Sequence, residues 1–259
     1  MRRTMILISC VALFLSLAES LFGEAVAPAR TSLEEKPRNL DRDSHLVGWW
    51  NFDESSGRVA NDSSQHPHNG DLKGGLSFDK STVPGRIGSA LNFPGVASVE
   101  VTGYKGVSGT HVRTIAAWIK TNSPQGEVVS WGSDDYGKMW TLGFIRGRIG
   151  VTPKGGYLYI NPEIHDDRWH HVAAVVEDAE LPNLHDHVKL YLNGELAEIH
   201  DIGLLDLWPI ETGSDLDVRI GRGFQGAIDD LRIYDRALSD KEISDLFGSA
   251  STRPSPESR

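Results

Sequence analysis

Short apolar segments separated by turn residues occupy most of the chain between residues 46 and 248. About a dozen of these segments are rich in β-branched and aromatic side chains and are bounded by Gly, Pro, Asn or Asp, a composition that is typical of β-strands. No long helical period interrupts them. The pattern therefore predicts an all-β fold in which two antiparallel sheets form a sandwich.

Local signals predict where the chain turns and where it becomes helical. Asn193-Gly194 lies between two of these segments and predicts a hairpin, because the tight turn needs positive φ at both central residues. Arg146-Gly147 marks a second turn. Ser239 is followed by Glu242 in the spacing of a capping box, which predicts one short C-terminal helix that runs to Phe247.

The first residues have the pattern of an export signal. Arg2 and Arg3 precede an apolar run over residues 5–18, which predicts a signal peptide over residues 1–25 and an exported protein that is periplasmic, extracellular or at the cell surface. The run breaks at Glu19, short of the about 20 residues that a membrane span requires. We therefore expect no membrane insertion after the signal is removed.

Polar, proline-bearing stretches flank the central pattern. They predict a flexible linker over residues 26–45 and a disordered tail over residues 249–259, leaving one domain over residues 46–248. Cys10 is the only cysteine and lies within the predicted signal, so the mature protein cannot form an internal disulfide. The stability of the domain must come from its core or from a metal.

The charge of the chain limits its partners. The formal net charge is −10, and so acidic a surface repels phosphate backbones, which argues against nucleic acid as a partner. The same balance is compatible with neutral glycans and with divalent cations. It selects neither.

The segment RWHHVAAVVED, residues 168–178, contains two adjacent histidines. Successive side chains of a strand point to opposite faces, so His170 and His171 cannot bind one metal together through a regular strand. Both faces of this segment are apolar, as expected of a central strand that is covered on both sides. We interpret the histidines as structural rather than catalytic, because no nucleophile motif accompanies them.

Several stretches, in this order, resemble a known family. LVGWWNFDESSGRVANDSSQHPHNGDL, GSALNFPG, DRWHHVAAVVED, VKLYLNGEL and RIGRGFQGAIDDLRIYDRALSDKEI are similar to LamG-like jellyroll domains of bacterial secreted proteins, within the concanavalin A-like lectin/glucanase superfamily. The resemblance covers about residues 46–248. It implies a jelly-roll sandwich, a frequent calcium site, and a role in carbohydrate or protein recognition, but no particular ligand.

The loop after the first strand is a candidate calcium site. It concentrates carboxylate and amide oxygens, which are the ligands that calcium prefers. The resemblance places Asp53, Asp62 and Asn69 in the metal-loop region of the family, and Asp229 would complete the site from the last strand. The alternative is that these residues only form turns.

Two His-X-His triplets could bind zinc or copper if extended. They lie at residues 66–68 and 185–187. Neither has an obvious third ligand nearby, so solvated loop histidines are the favoured interpretation.

Sugar binding requires exposed flat aromatic rings next to polar groups. Tyr157 and Tyr159 share a strand face opposite Leu158 and Ile160, so we expect the tyrosines on an open sheet face. A loop at residues 131–136 and the segment 206–209 supply further candidates. The predicted ligand-binding residues are Tyr157, Tyr159, Trp131, Asp134, Tyr136 and Trp208.

The chain lacks the motifs of the main hydrolase classes. The glucanases of this superfamily carry Glu-X-Asp-X-X-Glu on one strand, and no such string occurs here. The nearest pairs are Glu195 with Glu198, after a hairpin turn, and Asp229 with Asp230, which we expect on opposite faces. We therefore predict a secreted, non-catalytic module that is stabilised by calcium and binds a glycan. The alternatives are an adhesion or scaffold domain that recognises a cell-surface protein, and an unrecognised polysaccharide hydrolase or lyase.

Overall fold

A computed structural model describes residues 39–201 and 208–249 of the protein. The predicted signal peptide, the linker up to residue 38, residues 202–207 and the tail from residue 250 lie outside the described residues.

The described chain consists mainly of short strands. A 3-10 turn at Leu40–Arg42 precedes them, and two single-turn helices, α1 at Phe78–Ser81 and α2 at Leu184–His187, and the longer α3 at Asp240–Ser249 accompany them. The strands are β1 Leu46–Trp50, β2 Val59–Ala60, β3 Gly70–Lys73, β4 Thr82–Pro84, β5 Ser89–Pro94, β6 Ser98–Val101, β7 Arg113–Lys120, β8 Glu127–Gly132, β9 Met139–Ile145, β10 Arg148–Thr152, β11 Leu158–Ile160, β12 Trp169–Val176, β13 Val188–Leu192, β14 Glu195–Leu196, β15 Ile199–Asp201, β16 Leu216–Ile220 and β17 Gln225–Tyr234.

Two antiparallel sheets form the jelly-roll sandwich that the sequence predicts. Within the described residues, one sheet has the order β14-β13-β12-β7-β17-β5-β4, with β1 also paired to β17. The other has the order β15-β11-β10-β9-β8-β16-β6-β3-β2. Each predicted apolar segment forms a strand. The elements that the sequence did not predict, β2, β3, β4 and the two single-turn helices, are only two to four residues long and carry too little periodicity to be recognised.

The main core lies between the sheets, where one face of most strands is buried. The opposite face of β7 and β12 is also covered, because Ile243 and Leu246 of α3 pack there in one cluster with Ala116, Ala173 and Val175. Strand β12 is therefore buried on both sides, as predicted. Among the described residues, no helix is long and apolar enough to cross a membrane.

The predicted turns and helix start are confirmed. Asn193 and Gly194 have φ of 52° and 83°, and Arg146 and Gly147 have φ of 51° and 84°. At α3 the Ser239 amide donates to Glu242 at 2.9 Å, and the Glu242 amide donates to the Ser239 hydroxyl at 3.3 Å, which is the reciprocal pattern of a capping box. The helix extends two residues past its predicted end.

The predicted linker over residues 26–45 ends earlier than expected. Leu40 is buried, and two acidic residues beside it pair with arginines of the last strand and the chain after it. Asp41 contacts Arg232 at 2.6 Å, and Asp43 contacts Arg236 at 2.6 Å. Residues 39–45 are thus part of the folded domain, although their polar composition is typical of a linker.

The adjacent histidines of β12 are architectural. His171 lies in register with Trp118, its ring is 5.2 Å from that indole, and only 3% of the residue is exposed. His170 instead places Nε2 2.9 Å from the carboxylate of Asp166. The two rings have different surroundings, as expected for neighbours on a strand.

Candidate functional site

Two of the predicted ligand-binding aromatics lie together on the surface. The rings of Tyr136 and Trp208 stack with centroids 5.6 Å apart and an angle of 18° between their planes. Tyr136 is 55% exposed and Trp208 is 43% exposed. We call this pair the Tyr136–Trp208 platform. Residues 206 and 207 of the same candidate segment lie outside the described residues.

Backbone hydrogen bonds join the three chain segments that form the platform and its surroundings, which lie around residues 136, 155 and 208. The amide of Gly137 donates to the carbonyl of Lys154, and the amide of Glu211 donates to the carbonyl of Gly137, at 2.8 and 2.9 Å. Gly155 lies directly against the platform: a Cβ at this position would be 2.6 Å from the Tyr136 ring and 3.0 Å from the indole of Trp208. Gly155 also has φ of 102°, so this close approach requires a glycine.

A groove of about 630 Å³, lined by polar and charged residues together with Met139 and Leu216, runs beside the platform. Gly155 contacts the platform and also lines the groove, so the two features are continuous. The floor is the outer face of the nine-stranded sheet, and pairing of β10, β9, β8 and β16 sets four polar residues in one row across it. The row consists of Thr152, Thr141, Ser130 and Arg219.

Charged side chains line both ends of this row. Lys154 pairs with Asp134 at 2.7 Å, and its hydrogen bond holds the pKa of the Asp134 carboxyl below its usual value. Arg222 lies 3.5 Å from the carboxylate of Glu127, which also accepts a hydrogen bond from Ser130 at 2.5 Å. The predicted residue Asp134 thus lies at the groove, and its neighbours are polar and charged, as a site for a hydroxylated ligand requires.

The second pair of predicted aromatics is self-packed. Leu158 and Ile160 point into the core as expected. Tyr159, however, is only 3% exposed, because its ring packs between Tyr157 at 5.5 Å and His200 at 5.6 Å. The predicted open face is therefore wrong for Tyr159.

Tyr157 is partly buried, and its ring is also in contact with a cation. Besides Tyr159, the guanidinium of Arg146 lies 4.7 Å from the centre of the Tyr157 ring. These contacts leave less of its aromatic surface for a ligand than the platform offers.

Trp131 does not belong to the surface, contrary to the prediction. It is fully buried, its indole lies 6.3 Å from that of Trp140, and its Nε1 donates to the carbonyl of Val107 at 3.0 Å. The reason is that β8 extends through residue 132, so Trp131 is a strand residue that shares the inward face with Val129.

The predicted calcium ligands form two separate groups. The carboxylate of Asp62 accepts backbone N–H groups from Trp49, Ser64 and His68, each at 2.8 Å. Asn69 accepts the amide of Asp62 at 2.9 Å. These oxygens hold the loop in shape, which is the turn-forming role named as the alternative.

Asp53 and Asp229 meet at another turn. Asp53 accepts the amide of Ser89 at 2.7 Å, and Asp229 accepts the amide of Ile87 at 2.8 Å. The second oxygen of Asp229, Oδ1, is buried and has no hydrogen-bond partner among the described residues. Across residues 39–201 and 208–249, no three His, Cys, Asp or Glu side chains are close enough to hold a metal ion together.

The alternation of a regular strand predicts that Asp229 and Asp230 point to opposite faces. The structure contradicts this prediction. The pairing of β17 with β7 shifts in register between Asp229 and Arg232, and Asp230 has φ of 49°. This bulge turns both carboxylates to the outer face. Asp230 binds Arg232 there, whereas burial raises the pKa of Asp229 to about 8.

The His-X-His triplets have separate structural surroundings. His68 stacks on Tyr104 at 4.2 Å, and His187 forms part of the single-turn helix α2, where its ring accepts the amide of Asn183 at 3.2 Å. Metal binding by both rings of the second triplet would require an extended segment. Residues 185–187 are helical instead.

Sequence reasoning missed the basic residues of the groove. Arg219 could have been found from the alternation in β16, because Val218 and Ile220 on either side point into the core. Lys154 and Gly155 carry no such signal, since they follow the end of β10 and reach the site only through the loops that pack on it.

Comparisons with known proteins agree with this architecture. A model of the concanavalin A-like lectin/glucanases superfamily matches residues 94–244, and the chain belongs to this superfamily. A search of curated proteins found no match to the chain.

Solved structures share the fold. Domain 4 of AbnA, an extracellular GH43 arabinanase from Geobacillus stearothermophilus that was solved with arabinotriose, is 21% identical to the chain, with a TM-score of 0.58. The match covers 78% of this chain and 97% of that domain. The receptor-binding domain of botulinum neurotoxin D is 16% identical, with a TM-score of 0.50, over 80% of this chain and 53% of the toxin domain. The chain thus spans about half the length of the toxin domain.

Proposed function

We propose that the protein is a secreted, non-catalytic module that binds a glycan at the Tyr136–Trp208 platform. The observation that carries the proposal is the pair of stacked, half-exposed rings beside a polar groove. Aromatic faces stack on the C–H groups of a sugar ring, and the neighbouring polar side chains bind its hydroxyls. Because the two rings already lie nearly parallel, little conformational entropy is lost when a sugar binds to them.

The groove offers hydrogen-bond donors and acceptors at a suitable place. Thr141 and Lys154 line it next to the platform, whereas the hydroxyl of Thr152 already donates to the carbonyl of Gly156. The solved complex of arabinanase domain 4 with arabinotriose supports the proposal, since it is an oligosaccharide complex of a domain with this fold. The exposed position of the platform also suits a residue within a longer polysaccharide chain.

The absence of catalysis is part of the proposal. A glycosidase needs one carboxylic acid with a raised pKa to protonate the leaving group. In the groove, Lys154 lowers the pKa of Asp134, and Glu127 lies beside Arg222 and accepts a hydrogen bond from Ser130. Such groups favour binding over general acid catalysis. Incubation with the bound polysaccharide should release no reducing sugar. A release that depends on Glu127 would contradict the proposal that the module is non-catalytic.

Retardation in native gels that contain soluble polysaccharides tests the site. We expect one or more polymers to retard the wild-type protein, and Trp208→Ala and Tyr136→Ala to weaken this binding about tenfold or more, roughly 1.4 kcal/mol. Tyr157→Ala is the matched control, because it removes an outer-face ring that already packs on Tyr159 and Arg146.

Two results would refute the assignment. One is a folded wild-type protein that no polymer of a broad panel retards, which would favour a protein partner. The other is loss of binding in Tyr157→Ala together with unchanged binding in the two platform variants. This result would place the glycan site at Tyr157 instead.

We also propose that calcium binds at Asp53 and Asp229 and stabilises the domain. Both carboxylates contact the turn at residues 85–89, and Asp229 keeps one buried oxygen without a partner among the described residues. Backbone carbonyls would have to complete the coordination, since calcium takes six to eight oxygens. Asp62 is not part of this proposed site, because backbone amides occupy its carboxylate.

Thermal unfolding with calcium and with chelator tests this second proposal. Calcium should raise the melting temperature of the wild type, and Asp229→Asn and Asp53→Ala should abolish the rise. Asp62→Asn is the control and should keep it, despite a lower melting temperature overall. An unchanged wild-type melting temperature across calcium concentrations would rule the site out.

A further inference from the structure

We propose that the groove beside the platform selects an acidic polysaccharide, and that Arg219 binds the carboxylate of a uronic acid. This inference rests on the proposed glycan binding and names its ligand class. The lining of the groove carries three cationic side chains, Lys154, Arg219 and Arg222, and two carboxylates, Asp134 and Glu127.

Two of the three cations are already paired. Lys154 contacts Asp134 at 2.7 Å, and Arg222 lies 3.5 Å from Glu127. Arg219 has no carboxylate within ion-pair distance among the described residues, and its Nε is buried without a hydrogen-bond partner in the same part of the chain. Arg219 adds to the electrostatic field that lowers the pKa of Asp134, but within the described residues no carboxylate forms a direct ion pair with it.

The sheet fixes the position of this guanidinium. Arg219 stands in register between Ser130 of β8 and Glu100 of β6, so it belongs to the polar row on the groove floor. Glu100 is its cross-strand neighbour and still does not form an ion pair with it. A buried donor without a partner is costly, and a ligand oxygen that accepts its hydrogen bond would remove this cost.

The surroundings favour a sugar carboxylate over a phosphate or a densely sulfated chain. A guanidinium binds a carboxylate through two parallel hydrogen bonds, and Thr141 in the lining of the groove offers a hydroxyl for a sugar hydroxyl. Glu127 and Asp134 would repel a single group with two negative charges, such as a phosphate monoester, more strongly than a singly charged carboxylate. The net charge of −10 opposes polyanions in general, so selectivity must come from the local contact with Arg219.

The test compares two polymers with the same backbone. Polygalacturonate carries a carboxylate on each sugar, and its fully methyl-esterified form does not. In gel retardation at low ionic strength, we expect the wild type to bind polygalacturonate at least tenfold more tightly than the ester.

Variants locate the effect. Arg219→Gln should lose this preference and bind the two polymers alike, with a loss of at least tenfold for the acid form. Arg168→Gln removes the same charge from an exposed side chain away from the groove and should keep the preference. Near-ultraviolet circular dichroism of each variant establishes that it is folded.

The outcomes separate this inference from the proposed function. Equal binding of both polymers by the wild type would overturn the role of Arg219. If Trp208→Ala abolished this binding, the platform would still be supported as the glycan site. A preference that survives in Arg219→Gln would also overturn it. Binding of neither polymer would reject uronic acids as the ligand, while retardation by a neutral polysaccharide would still support the platform.

Discussion

The buried histidine of β12 predicts a loss of stability in acid that one substitution should remove. Burial lowers the pKa of His171 from 6.5 to about 3, and the nearby charge of Arg232 acts in the same direction. Both effects penalise the protonated ring, which lies between Trp118 and Phe247 with its Nδ1 buried and without a partner among the described residues. The folded protein therefore keeps this histidine neutral where the unfolded chain protonates it.

The size of the effect follows from linkage. Between pH 6.5 and pH 3 the unfolded state binds one more proton than the folded state, so the free energy of unfolding decreases as the pH falls. Each pH unit contributes about 1.4 kcal/mol. Acidification from pH 7 to pH 4.5 should remove about 3 kcal/mol through His171 alone.

Urea unfolding followed by tryptophan fluorescence at pH 7 and pH 4.5 measures this term. His171→Leu places a non-titrating side chain in the same apolar layer, so the variant should lose about 3 kcal/mol less than the wild type over this interval. Comparing the pH dependence, rather than the stability at one pH, cancels any packing defect of the variant.

The adjacent histidine supplies the control. His170→Leu changes a ring that contacts Asp166. This variant should still lose about 3 kcal/mol of unfolding free energy through His171 between pH 7 and pH 4.5. An equal loss between pH 7 and pH 4.5 in His171→Leu and in the wild type would refute the reasoning.

Three further substitutions test other parts of the fold. Asp62→Ala should lower the free energy of unfolding by about 3 kcal/mol or more, with or without calcium, because it leaves several backbone donors without an acceptor; a variant that calcium restores would contradict this. Gly194→Ala should cost about 1–2 kcal/mol in thermal unfolding, since φ is 83° and the added Cβ would lie 3.0 Å from Phe247. Glu242 has its pKa lowered to about 2, first by its hydrogen bond with Arg236. Glu242→Gln should therefore lower the free energy of unfolding by about 1–2 kcal/mol above pH 4.5. Urea titrations at lower pH should show this difference from the wild type disappear as the pH falls through about 2.

The strands, the turns and the C-terminal helix could be predicted because their signals are local. Alternation of apolar residues, positive φ at Asn193-Gly194 and the reciprocal hydrogen bonds of Ser239 and Glu242 each involve neighbours in the chain. The same alternation correctly placed Leu158 and Ile160 in the core. These features do not depend on which strand pairs with which.

Errors arose where pairing changed the local rule. A bulge in β17 reversed the expected direction of one of two adjacent aspartates, Asp229 and Asp230. Strand β8 extended through Trp131 and took its ring from a presumed loop into the core. Likewise, the carboxylate of Asp62 was suitable for calcium by composition, but the packed loop supplies backbone amides to it instead.

By itself, the sequence determined the all-β sandwich, the places of its strands and turns, and the types of side chain available for binding. Only the tertiary structure decided that Tyr136 and Trp208 stack on each other, that Gly155 lies beneath them, and that Arg219 stands unpaired on the groove floor. The physical reason is that strand formation depends on residues close together in the chain. A binding surface depends instead on which distant loops the closed sandwich brings into contact.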